Sequence, residues 1–579
     1  MVNRFGIPYL FSICISLTCS LPAWGQSTYP TDYFRLPLDL PVALSGTFGE
    51  LRSNHFHTGL DFRTRQTTGH PVRAAADGYI SRLSESPYGY GKALYIDHPN
   101  GYTTVYAHLE RFAPAAAAEL KKSQYEHETF SANILLPPGK IPVKKGDIIA
   151  WSGNSGSSAG PHLHFEIRHT ESEEPINPLL FGLPVPDGVP PTISGLFIYP
   201  INDSSSVNGA GFRAGFSVAR TGEGTYVVQP SQTITVYGRI GFGIIAHDQL
   251  DGAPNRNGNY SIELKKDGET IYYAETDRLN FSHNRAMNAH IDYAAYLLDG
   301  RRIQKSYVSP GNPLTIYKRL RNRGSAWFTQ AGTYRMEYIV RDVAGNRAVL
   351  RFTLTATDTL ETKTPPQPPR NEATRFRYDR TNAFAGPEFR LHMQDSTLYE
   401  DIHFEYRSGE APSGSFSQLH QVHHRNIPLH RFVDIAIKTH PGLTDTARAL
   451  VVNDRKQAFV TAWEAGWAKT KVREFGNFYV TVDNTPPRIR PVTISAGKDM
   501  SKNSAIEVRI SDDLSGIQSF RGSIDGKWVL MEYDAKTATL RHVFDERTPA
   551  NNGTVKHTFH LLVSDMKNNT AEFEADFRR

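Results

Sequence analysis

The sequence has almost no cysteine. Its 579 residues include two, Cys14 and Cys19, and both lie within an N-terminal segment that has the features of a secretory signal. The mature chain is therefore expected to contain no disulfide bond, no cysteine nucleophile and no thiolate metal site. Lipid attachment at Cys19 is not expected either, because the preceding Ser16-Leu17-Thr18 is a poor lipoprotein signal.

Long apolar runs are missing beyond the N-terminus. Arg4, the apolar stretch from Ile7 to Leu17 and the small residues near Gly25 predict a signal peptide over residues 1–25. The apolar stretch is too short to span a bilayer, and no later segment is apolar enough to do so. The sequence thus predicts an exported protein, located in the bacterial periplasm or at the cell surface, with no transmembrane segment in the mature chain.

The sequence also lacks a strong excess of charge of one sign. Its formal net charge of +5 is too small, over 579 residues, to indicate a nucleic-acid partner. It contains neither a long basic run nor a phosphate-binding glycine motif. Nucleic acid is therefore not a predicted partner.

Helical periodicity is scarce after residue 191, where short segments with alternating apolar residues recur. One of them places Tyr334, Met336, Tyr338 and Val340 on a common face. Such strands, separated by turn residues, predict β-sandwiches. We divide this region into three sandwiches, at residues 188–360, 371–485 and 486–579, with proline-rich linkers at 186–191 and 364–369.

Two internal similarities support these domain limits. Val189-Pro190-Pro191-Thr192-Ile193 resembles Thr485-Pro486-Pro487-Arg488-Ile489, and Asp342-Val343-Ala344-Gly345-Asn346 resembles Asp565-Met566-Lys567-Asn568-Asn569. The pair Asp512-Asp513 is compatible with calcium binding, but we interpret it as a solvated turn.

Histidines mark the N-terminal third of the chain. A small-residue loop from Gly153 leads into an alternating strand with His162 and His164, whose side chains share one face because strand side chains two apart do so. His57 and Asp61, four residues apart, also share a face in a strand. His55 has the same parity, so spacing alone leaves both His55 and His57 open as ligands.

A fifth histidine lies in a predicted hairpin. Strands at 93–98 and 102–109 flank Pro99-Asn100-Gly101, and Asn-Gly between two β-rich runs is a strong hairpin signal. His108 falls late in the second strand. His98 lies at the turn, where capping of the hairpin is as reasonable a role as chemistry.

Together these residues supply what a zinc hydrolase requires. Such a site has about three protein ligands and an open position, where the ion lowers the pKa of a water molecule to about 7. Histidines that do not bind the metal can accept the proton and stabilise the oxyanion. Non-haem iron also uses two histidines and a carboxylate, but the extra histidines, the signal peptide and the spacing disfavour it. The absence of His-Glu-x-x-His disfavours a thermolysin-like peptidase.

Five segments, in this order, carry a more specific resemblance: Phe48-Gly49-Glu50, His57-Thr58-Gly59-Leu60-Asp61, Ala76-Asp77-Gly78, Val105-Tyr106-Ala107-His108-Leu109, and Gly153-Asn154-Ser155-Gly156 through His162-Leu163-His164-Phe165-Glu166. They resemble the lysostaphin/LytM-type zinc metallopeptidases, which are peptidoglycan endopeptidases. The resemblance implies an all-β protein in which residues 26–187 form a compact antiparallel peptidase domain. It implies that His57, Asp61 and His164 bind Zn²⁺, that His108 and His162 are catalytic without binding it, and that His57 rather than His55 is the ligand.

The predicted function is secreted, zinc-dependent hydrolysis of peptide bonds in the peptidoglycan stem or cross-bridge, with peptidoglycan peptides as substrate. The alternative is an inactive, peptidase-like regulator that recruits another cell-wall hydrolase, because the sandwiches could bind cell-envelope proteins. Residues 114–138 interrupt a connection that is usually short in the family, and we expect them to form a rim over the substrate groove.

Overall fold

The computed structural model describes residues 29–360, 374–548 and 555–579. The predicted signal peptide and the linker at 364–369 lie outside these ranges. Strands dominate the described chain and helices are few and short, which confirms the all-β fold class. None of the described helices is long and apolar enough to cross a membrane.

The N-terminal domain is built on one large sheet whose central strand, β12, pairs antiparallel with β4 on one side and β8 on the other. Its main order is β1-β4-β12-β8-β7-β6-β10, and β2 and β3 form a separate hairpin. The strands are β1 Leu44–Gly46, β2 Leu51–Arg52, β3 His55–Phe56, β4 Leu60–Arg63, β5 Pro71–Arg73, β6 Gly78–Glu85, β7 Lys92–Asp97, β8 Tyr102–Phe112, β9 Ala132–Leu135, β10 Pro142–Val143, β11 Ile148–Ser152, β12 His162–His169 and β13 Pro175–Ile176.

Alternation along β12 explains why this strand is central. Leu163, Phe165 and Ile167 are fully buried in the domain core, so the intervening side chains, beginning with His162 and His164, point to the other face of the sheet. The predicted hairpin is present, with β7 and β8 on either side of Asn100-Gly101.

One helix, α1 Pro114–Glu126, follows β8. Pro114 occupies its first turn, where a missing N–H costs nothing. Ala116, Leu120 and Gln124, spaced four apart, form its buried face. The helix ends at Glu126, and β9 follows it and pairs with β6.

The first C-terminal unit has thirteen strands that are connected through the long β19, which pairs with neighbours at both of its ends. The alternating pattern of the sequence predicts strands in this region, but it does not predict that one of them, β19, pairs with neighbours at both of its ends. The strands are β14 Thr192–Pro200, β15 Ser206–Val207, β16 Ala214–Phe216, β17 Val218–Gly222, β18 Thr225–Val228, β19 Thr235–His247, β20 Ser261–Lys266, β21 Glu269–Glu275, β22 Gln304–Lys305, β23 Tyr317–Leu320, β24 Ala326–Phe328, β25 Gly332–Arg341 and β26 Arg347–Ala356, with helices α2 Met287–His290 and α3 Tyr293–Asp299 and three-residue 3₁₀ turns at Asn284–Ala286 and Asn322–Gly324.

The last two units each have two larger sheets around a core of their own, and the first of them has in addition a two-stranded sheet of β27 and β30. The first of them has β27 Arg375–Phe376, β28 Asn382–Ala385, β29 Phe389–Met393, β30 Ile402–His403, β31 Tyr406–Gly409, β32 Leu419–Val422, β33 Val433–Lys438, β34 Ala449–Asn453, β35 Ala458–Phe459, β36 Thr461–Glu464, β37 Trp467–Val472 and β38 Gly476–Val482. The second has β39 Arg488–Pro491, β40 Lys498–Asp499, β41 Ala505–Ser511, β42 Ile517–Ile524, β43 Lys527–Val529, β44 Glu532–Asp534, β45 Thr539–Val543, β46 Lys556–Asp565 and β47 Thr570–Arg578.

The N-terminal domain and the first C-terminal unit share packing. Phe48 and Phe56 are buried in the hydrophobic core of the C-terminal unit. Asn284 holds β3 from the same side, since its side chain accepts a hydrogen bond from Phe56 N at 2.7 Å and donates one to Phe56 O at 3.2 Å. The segment that precedes His57 is therefore positioned by both units.

Candidate metal centre and active site

Three side chains converge on the face of the sheet opposite the core. His57 follows β3, Asp61 lies in β4 and His164 lies in β12, directly opposite Asp61 in the antiparallel ladder. Asp61 Oδ1 lies 3.0 Å from His57 Nε2 and 2.9 Å from His164 Nδ1, and the two nitrogens are 3.0 Å apart. All three side chains are buried.

Gly59 allows this approach. A Cβ at this position would lie 2.4 Å from the carbonyl oxygen of Phe165, so only glycine lets the chain between His57 and Asp61 pass so close to β12.

The hydrogen bonds around the three residues fit a bound cation. His57 Nδ1 donates to Thr47 O at 2.8 Å, and His164 Nε2 donates to Glu166 Oε1 at 2.8 Å. These bonds assign the tautomers, so the opposite nitrogens present lone pairs to Asp61 Oδ1. Two imidazole lone pairs and a carboxylate oxygen that meet with no donor between them form a donor set that suits Zn²⁺. The group could therefore hold a metal ion.

Buried charges surround this group. Glu166 accepts hydrogen bonds from Thr58 Oγ1 and Tyr90 OH, both at 2.6 Å, and from Arg168 Nε at 2.6 Å. Burial opposes the ionisation of Glu166, but the Arg168 charge and the hydrogen bond from His164 keep its pKa well below the ordinary value. The carboxylate is thereby fixed as the partner of His164 Nε2.

The pKa values of two residues in the group follow from the same contacts. Burial opposes a charge on Asp61, but interactions with His57, His162 and His164 lower its pKa well below the ordinary value, so Asp61 presents a carboxylate. A proton can lie where an ion would bind: burial opposes protonation of His164, but hydrogen bonds to Asp61 and Glu166 raise its pKa to about 9, and a bound metal ion would displace this proton. Arg52 adds a further cation, with Nη2 3.0 Å from Asp61 Oδ2.

Two more histidines lie next to the group. His162 Nδ1 donates to Gly160 O at 2.8 Å, and its Nε2 lies 3.4 Å from Asp61 Oδ1. His108 Nδ1 donates to Ser155 O at 3.0 Å, and its ring centroid lies 4.7 Å from that of His162. Burial, together with the charges of His164 and His162, lowers the pKa of His108 to about 3. His108 therefore stays neutral, and the hydrogen bond to Ser155 O uses its Nδ1 and not its Nε2.

His108 reaches this position through an irregularity in β8. Ala107, not His108, lies opposite His164 in the ladder, so a regular strand would turn His108 to the core face. The register of β8 against β7 shifts here, and His108 has a φ of 59°, in the left-handed region. Such a bulge re-aims a side chain, and it brings His108 onto the face that carries the other histidines.

The five residues lie at the base of a cleft of about 1150 Å³. Its walls are formed by the N-terminal domain and by the C-terminal units, which we call the β-domains from here on. Five arginines line it and make it strongly basic: Arg52, Arg63, Arg65, Arg285 and Arg473.

The structure assigns positions to His55 and His98, whose roles the spacing in the sequence did not decide. His55 is exposed at the rim of the cleft and bonds Ser53 O, so it lies outside the group. His98 lies outside the group, with Nδ1 2.8 Å from Asp77 O in the loop before β6 and Nε2 2.8 Å from Thr104 Oγ1 in β8. Both of its ring nitrogens therefore have partners in the surrounding fold.

The expected rim over the groove is wrong. Among the described residues that line the cleft, none comes from 114–138. This segment packs instead against the last β-domain, where Lys121 pairs with Asp545 and the Tyr125 ring meets Trp528 at 4.9 Å. Residues of the other β-domains take its place at the cleft: Phe281, Ser282, Asn284, Arg285 and Arg473.

The sequence motifs gave no role to the residues that hold the ligands. Glu166 and Arg168 continue the parity of His162 and His164 along β12, which is a usable signal. Tyr90 gives none, because its partner Glu166 lies 76 residues away.

Fold and side chains define a class. An antiparallel sheet that presents a two-histidine, one-carboxylate group beside two further histidines in an open cleft is the arrangement of a metallohydrolase domain. Comparisons with known proteins agree. Residues 55–125 and 132–178 match the model of peptidase family M23, and residues 373–483 match that of a Zu5-like domain.

Curated relatives match about a quarter of the chain. The DD-carboxypeptidase/endopeptidase Mpg of Neisseria meningitidis is 36% identical over 137 residues, which are 24% of this chain and 25% of that protein. The peptidoglycan DD-endopeptidase ShyA of Vibrio cholerae is 29% identical over 170 residues, 28% of this chain and 33% of that protein. The chain thus matches only about a quarter to a third of the length of these relatives.

Solved structures also match. The catalytic domain of the M23 protein EnpA from Enterococcus faecalis is 25% identical, with 26% of this chain and 98% of that chain covered and a TM-score of 0.20. The catalytic domain of lysostaphin from Staphylococcus simulans is 26% identical, with 24% and 91% covered and a TM-score of 0.19. The family match over residues 55–178 identifies a peptidase family M23 domain of the lysostaphin/LytM type, as the motifs predicted.

Proposed function

We propose that the chain is an exported, zinc-dependent endopeptidase that hydrolyses peptide bonds in the stem or cross-bridge of peptidoglycan. The convergence of His57, Asp61 and His164 beside His108 and His162, at the base of an open cleft, carries this proposal. The names of the relatives, which specify DD-endopeptidases, make a bond between two D-residues the first to examine.

His57 Nε2, Asp61 Oδ1 and His164 Nδ1 would hold the zinc ion. Zinc supplies Lewis-acid chemistry: it polarises the scissile carbonyl and lowers the pKa of a water molecule to about 7. Thr47 and Glu166 orient the two imidazoles through the nitrogens that face away from the ion.

His108 and His162 would handle the proton and the developing negative charge. His108 is neutral, and its Nδ1 is occupied by Ser155 O, so Nε2 is the atom that accepts a proton. His162 is held in the same way by Gly160 O, which leaves its Nε2 to donate to the oxyanion once protonated. Both rings are fixed by backbone carbonyls and need little reorganisation.

The basic walls of the cleft suit an anionic substrate. Stem peptides carry free carboxylates, which arginine binds through paired N–H groups. Arg65 on the N-terminal domain lines the cleft, as do Arg285 and Arg473 on the β-domains, which contact each other and also donate to backbone carbonyls. We assign them the role of holding these carboxylates.

The test is release of peptides from purified peptidoglycan by the mature chain, analysed by mass spectrometry with and without a zinc chelator. Chelator-sensitive release identifies the bond directly. The matched control is His108→Ala, which keeps the three ligands. No release by a folded, zinc-loaded protein would refute the proposal and favour the regulatory alternative.

A further inference from the structure

The two sequence similarities between the β-domains meet in the structure at clusters of carboxylates. Oxygens of Asp187, Asp248 and Asp342 all lie within 4.8 Å of one another at the start of the first β-domain. Asp187 belongs to the linker from the peptidase domain, Asp248 follows β19 and Asp342 follows β25. An equivalent cluster at the start of the last β-domain consists of Asp483, Asp512 and Asp565.

The first cluster leaves buried polar atoms without partners. Asp248 and Asp342 are each only 4% exposed. Within the described part of the chain, Asp248 Oδ1 and Asp342 Oδ2 accept no hydrogen bond. Buried carboxylate oxygens are normally paired or bound to a metal, so two unpaired oxygens in one cluster indicate a missing cation.

A neighbouring side chain supports the same conclusion. Asn257 pairs with Asp248 through two backbone hydrogen bonds, of 2.8 and 3.1 Å. Its side chain is 3% exposed, yet neither its Oδ1 nor its Nδ2 has a partner among the described residues. An amide oxygen is a further ligand of the kind that binds hard cations.

The charges in the cluster are not compensated by the ion pairs of the structure. None of those found within the described ranges includes Asp187, Asp248 or Asp342. Burial, followed by the charges of Asp187 and Asp342, raises the pKa of Asp248 to about 8. Two buried carboxylates and the half-buried Asp187 repel one another, so the cluster holds either a proton or a counter-ion, and a cation would bind in competition with the proton.

We propose that Asp187, Asp248 and Asp342 bind a calcium ion at the junction between the peptidase domain and the first β-domain. The cluster offers only oxygen ligands, which favours hard cations over zinc and other transition metals. The carboxylates come from three separate chain segments, and Ca²⁺ tolerates such irregular geometry and binds six to eight oxygens, whereas Mg²⁺ demands a near-ideal octahedron. Calcium binding at this site does not require the proposed peptidase activity.

The site is linked to the active-site region by the segment that begins at Asp248. Leu250 of this segment is buried in the core of the peptidase domain. Asn255 Nδ2 donates to Ser45 O at 3.1 Å, and Gly258 N donates to Thr47 Oγ1 at 3.1 Å. Thr47 O in turn accepts the hydrogen bond from His57, so an ion at Asp248 would stabilise the segment that supports a candidate zinc ligand.

Gly258 shows how tightly this segment fits. A Cβ there would lie 2.7 Å from Glu50 N, so the backbone of the segment lies directly on the loop before β2. Movement of the segment towards that loop would therefore displace it.

The second cluster serves as an internal comparison. Asp565 Oδ1 accepts hydrogen bonds from Lys567 N and Asn569 N, and its Oδ2 accepts one from Asn569 Nδ2. Asp483 Oδ2 accepts one from Ser515 N, and the charge of Lys567 interacts with those of Asp483 and Asp565. Among the described residues, Asp512 Oδ1 is the one unpaired carboxylate oxygen of this cluster, whereas the first cluster has two, although Asp342 Oδ1 there accepts hydrogen bonds from Gly345 N and Asn346 N. We therefore expect the first cluster to bind calcium more tightly.

The experiment is calorimetric titration of the metal-depleted, full-length mature chain with calcium chloride and, in parallel, with magnesium chloride. We expect saturable calcium binding, a rise in the thermal unfolding midpoint and protection of the 186–191 linker from limited proteolysis. Failure of the unmodified chain to bind calcium would overturn the proposal, as would equal binding of magnesium. This measurement does not depend on any variant.

Two variants locate the site. Asp248→Asn should abolish the tightest calcium binding and the calcium-dependent protection of the linker, while zinc content stays unchanged. Asp203→Asn is the matched control, because it removes an exposed charge from the same β-domain but not one of the three converging carboxylates. Retained tight binding by Asp248→Asn, or an equal loss in both variants, would refute the assignment.

Discussion

His164 lies directly opposite Asp61 across two antiparallel strands, and its Nδ1 is 2.9 Å from Asp61 Oδ1. The ladder between β4 and β12 fixes this distance, since residues paired in register hold their side chains on the same face. The backbone hydrogen bonds of the sheet thus bring two of the three candidate ligands together. His57, which the sheet does not hold in the same way, is positioned by Thr47 and by the contact of β3 with Asn284.

Replacement of His164 by alanine should remove the metal and with it the peptidase activity. The side chain supplies one of three donors, and a histidine and a carboxylate alone hold zinc far more weakly. The measurement is zinc content per chain by mass spectrometry of the metal, together with peptide release. His55→Ala, which changes an exposed histidine outside the group, is the matched control and should keep its zinc.

Replacement of His108 by alanine should separate catalysis from metal binding. We expect zinc content to be unchanged and the rate of peptide release to fall about 10²- to 10⁴-fold, the usual contribution of a general acid or base. Loss of the metal in this variant would contradict the division into ligands and catalytic histidines.

Glu166→Gln should weaken zinc binding even though Glu166 is not a proposed ligand. The change removes the charge that accepts the His164 Nε2 hydrogen bond, and loss of such a partner typically lowers metal affinity about 10- to 100-fold. It also leaves Arg168 buried without its carboxylate, which should cost roughly 3–5 kcal/mol of stability. Competition with a zinc chelator and thermal unfolding measure the two effects.

The control for this variant is Glu173→Gln. Glu173 also approaches Arg168, at 3.8 Å, but its side chain is 64% exposed. Zinc affinity and stability should therefore change little. Equal effects in the two variants would show that Glu166 has no special role.

Sequence reasoning reached the elements of the site but not all of its geometry. The parity of His162 and His164 and the Asn100-Gly101 hairpin follow from local rules of strand alternation and turn formation. The bulge at His108 does not, because Ala107 and His108 carry no local signal for a register shift.

Contacts between residues that are distant in sequence explain the other differences between the predicted and the observed structure. Residues 114–138 were expected over the groove because they follow the strand of His108. Their contacts are decided by Lys121 and Tyr125, whose partners lie more than 400 residues later. Asp512 does hold a turn, since it accepts hydrogen bonds from Leu514 N and Gly516 N, but the structure also places it with Asp483 and Asp565. No spacing rule connects residues so far apart.

Arg65→Gln should weaken substrate binding without affecting the metal. Arg65 is exposed in the cleft wall, and an exposed charge contact contributes up to about 1 kcal/mol, which corresponds to roughly a fivefold rise in KM. We expect kcat and zinc content to remain unchanged. Arg220→Gln, at an exposed position that does not line the cleft, is the control, and a fall in kcat for Arg65→Gln would contradict a binding role.

Acid should destabilise the protein through histidines that are buried in neutral form. His290 is 3% exposed, its ring packs 5.9 Å from that of Phe56, and burial lowers its pKa to about 4. Its unfolded pKa is about 6.5. Between these values the unfolded chain binds a proton that the folded chain does not, so stability falls as the pH falls from about 6.5 to 4 and is unaffected above that range.

The loss through His290 is about 1.4 kcal/mol for each pH unit within this window. Removal of the titrating group by His290→Gln should therefore reduce the difference between urea-unfolding midpoints measured at pH 7.5 and pH 5.5. His127→Gln, at an exposed position after α1, should leave that difference as it is. An unchanged difference between the two midpoints in His290→Gln would contradict the prediction. It would mean that protonation of His290 does not destabilise its contact with Phe56, the residue that precedes the candidate zinc ligand His57.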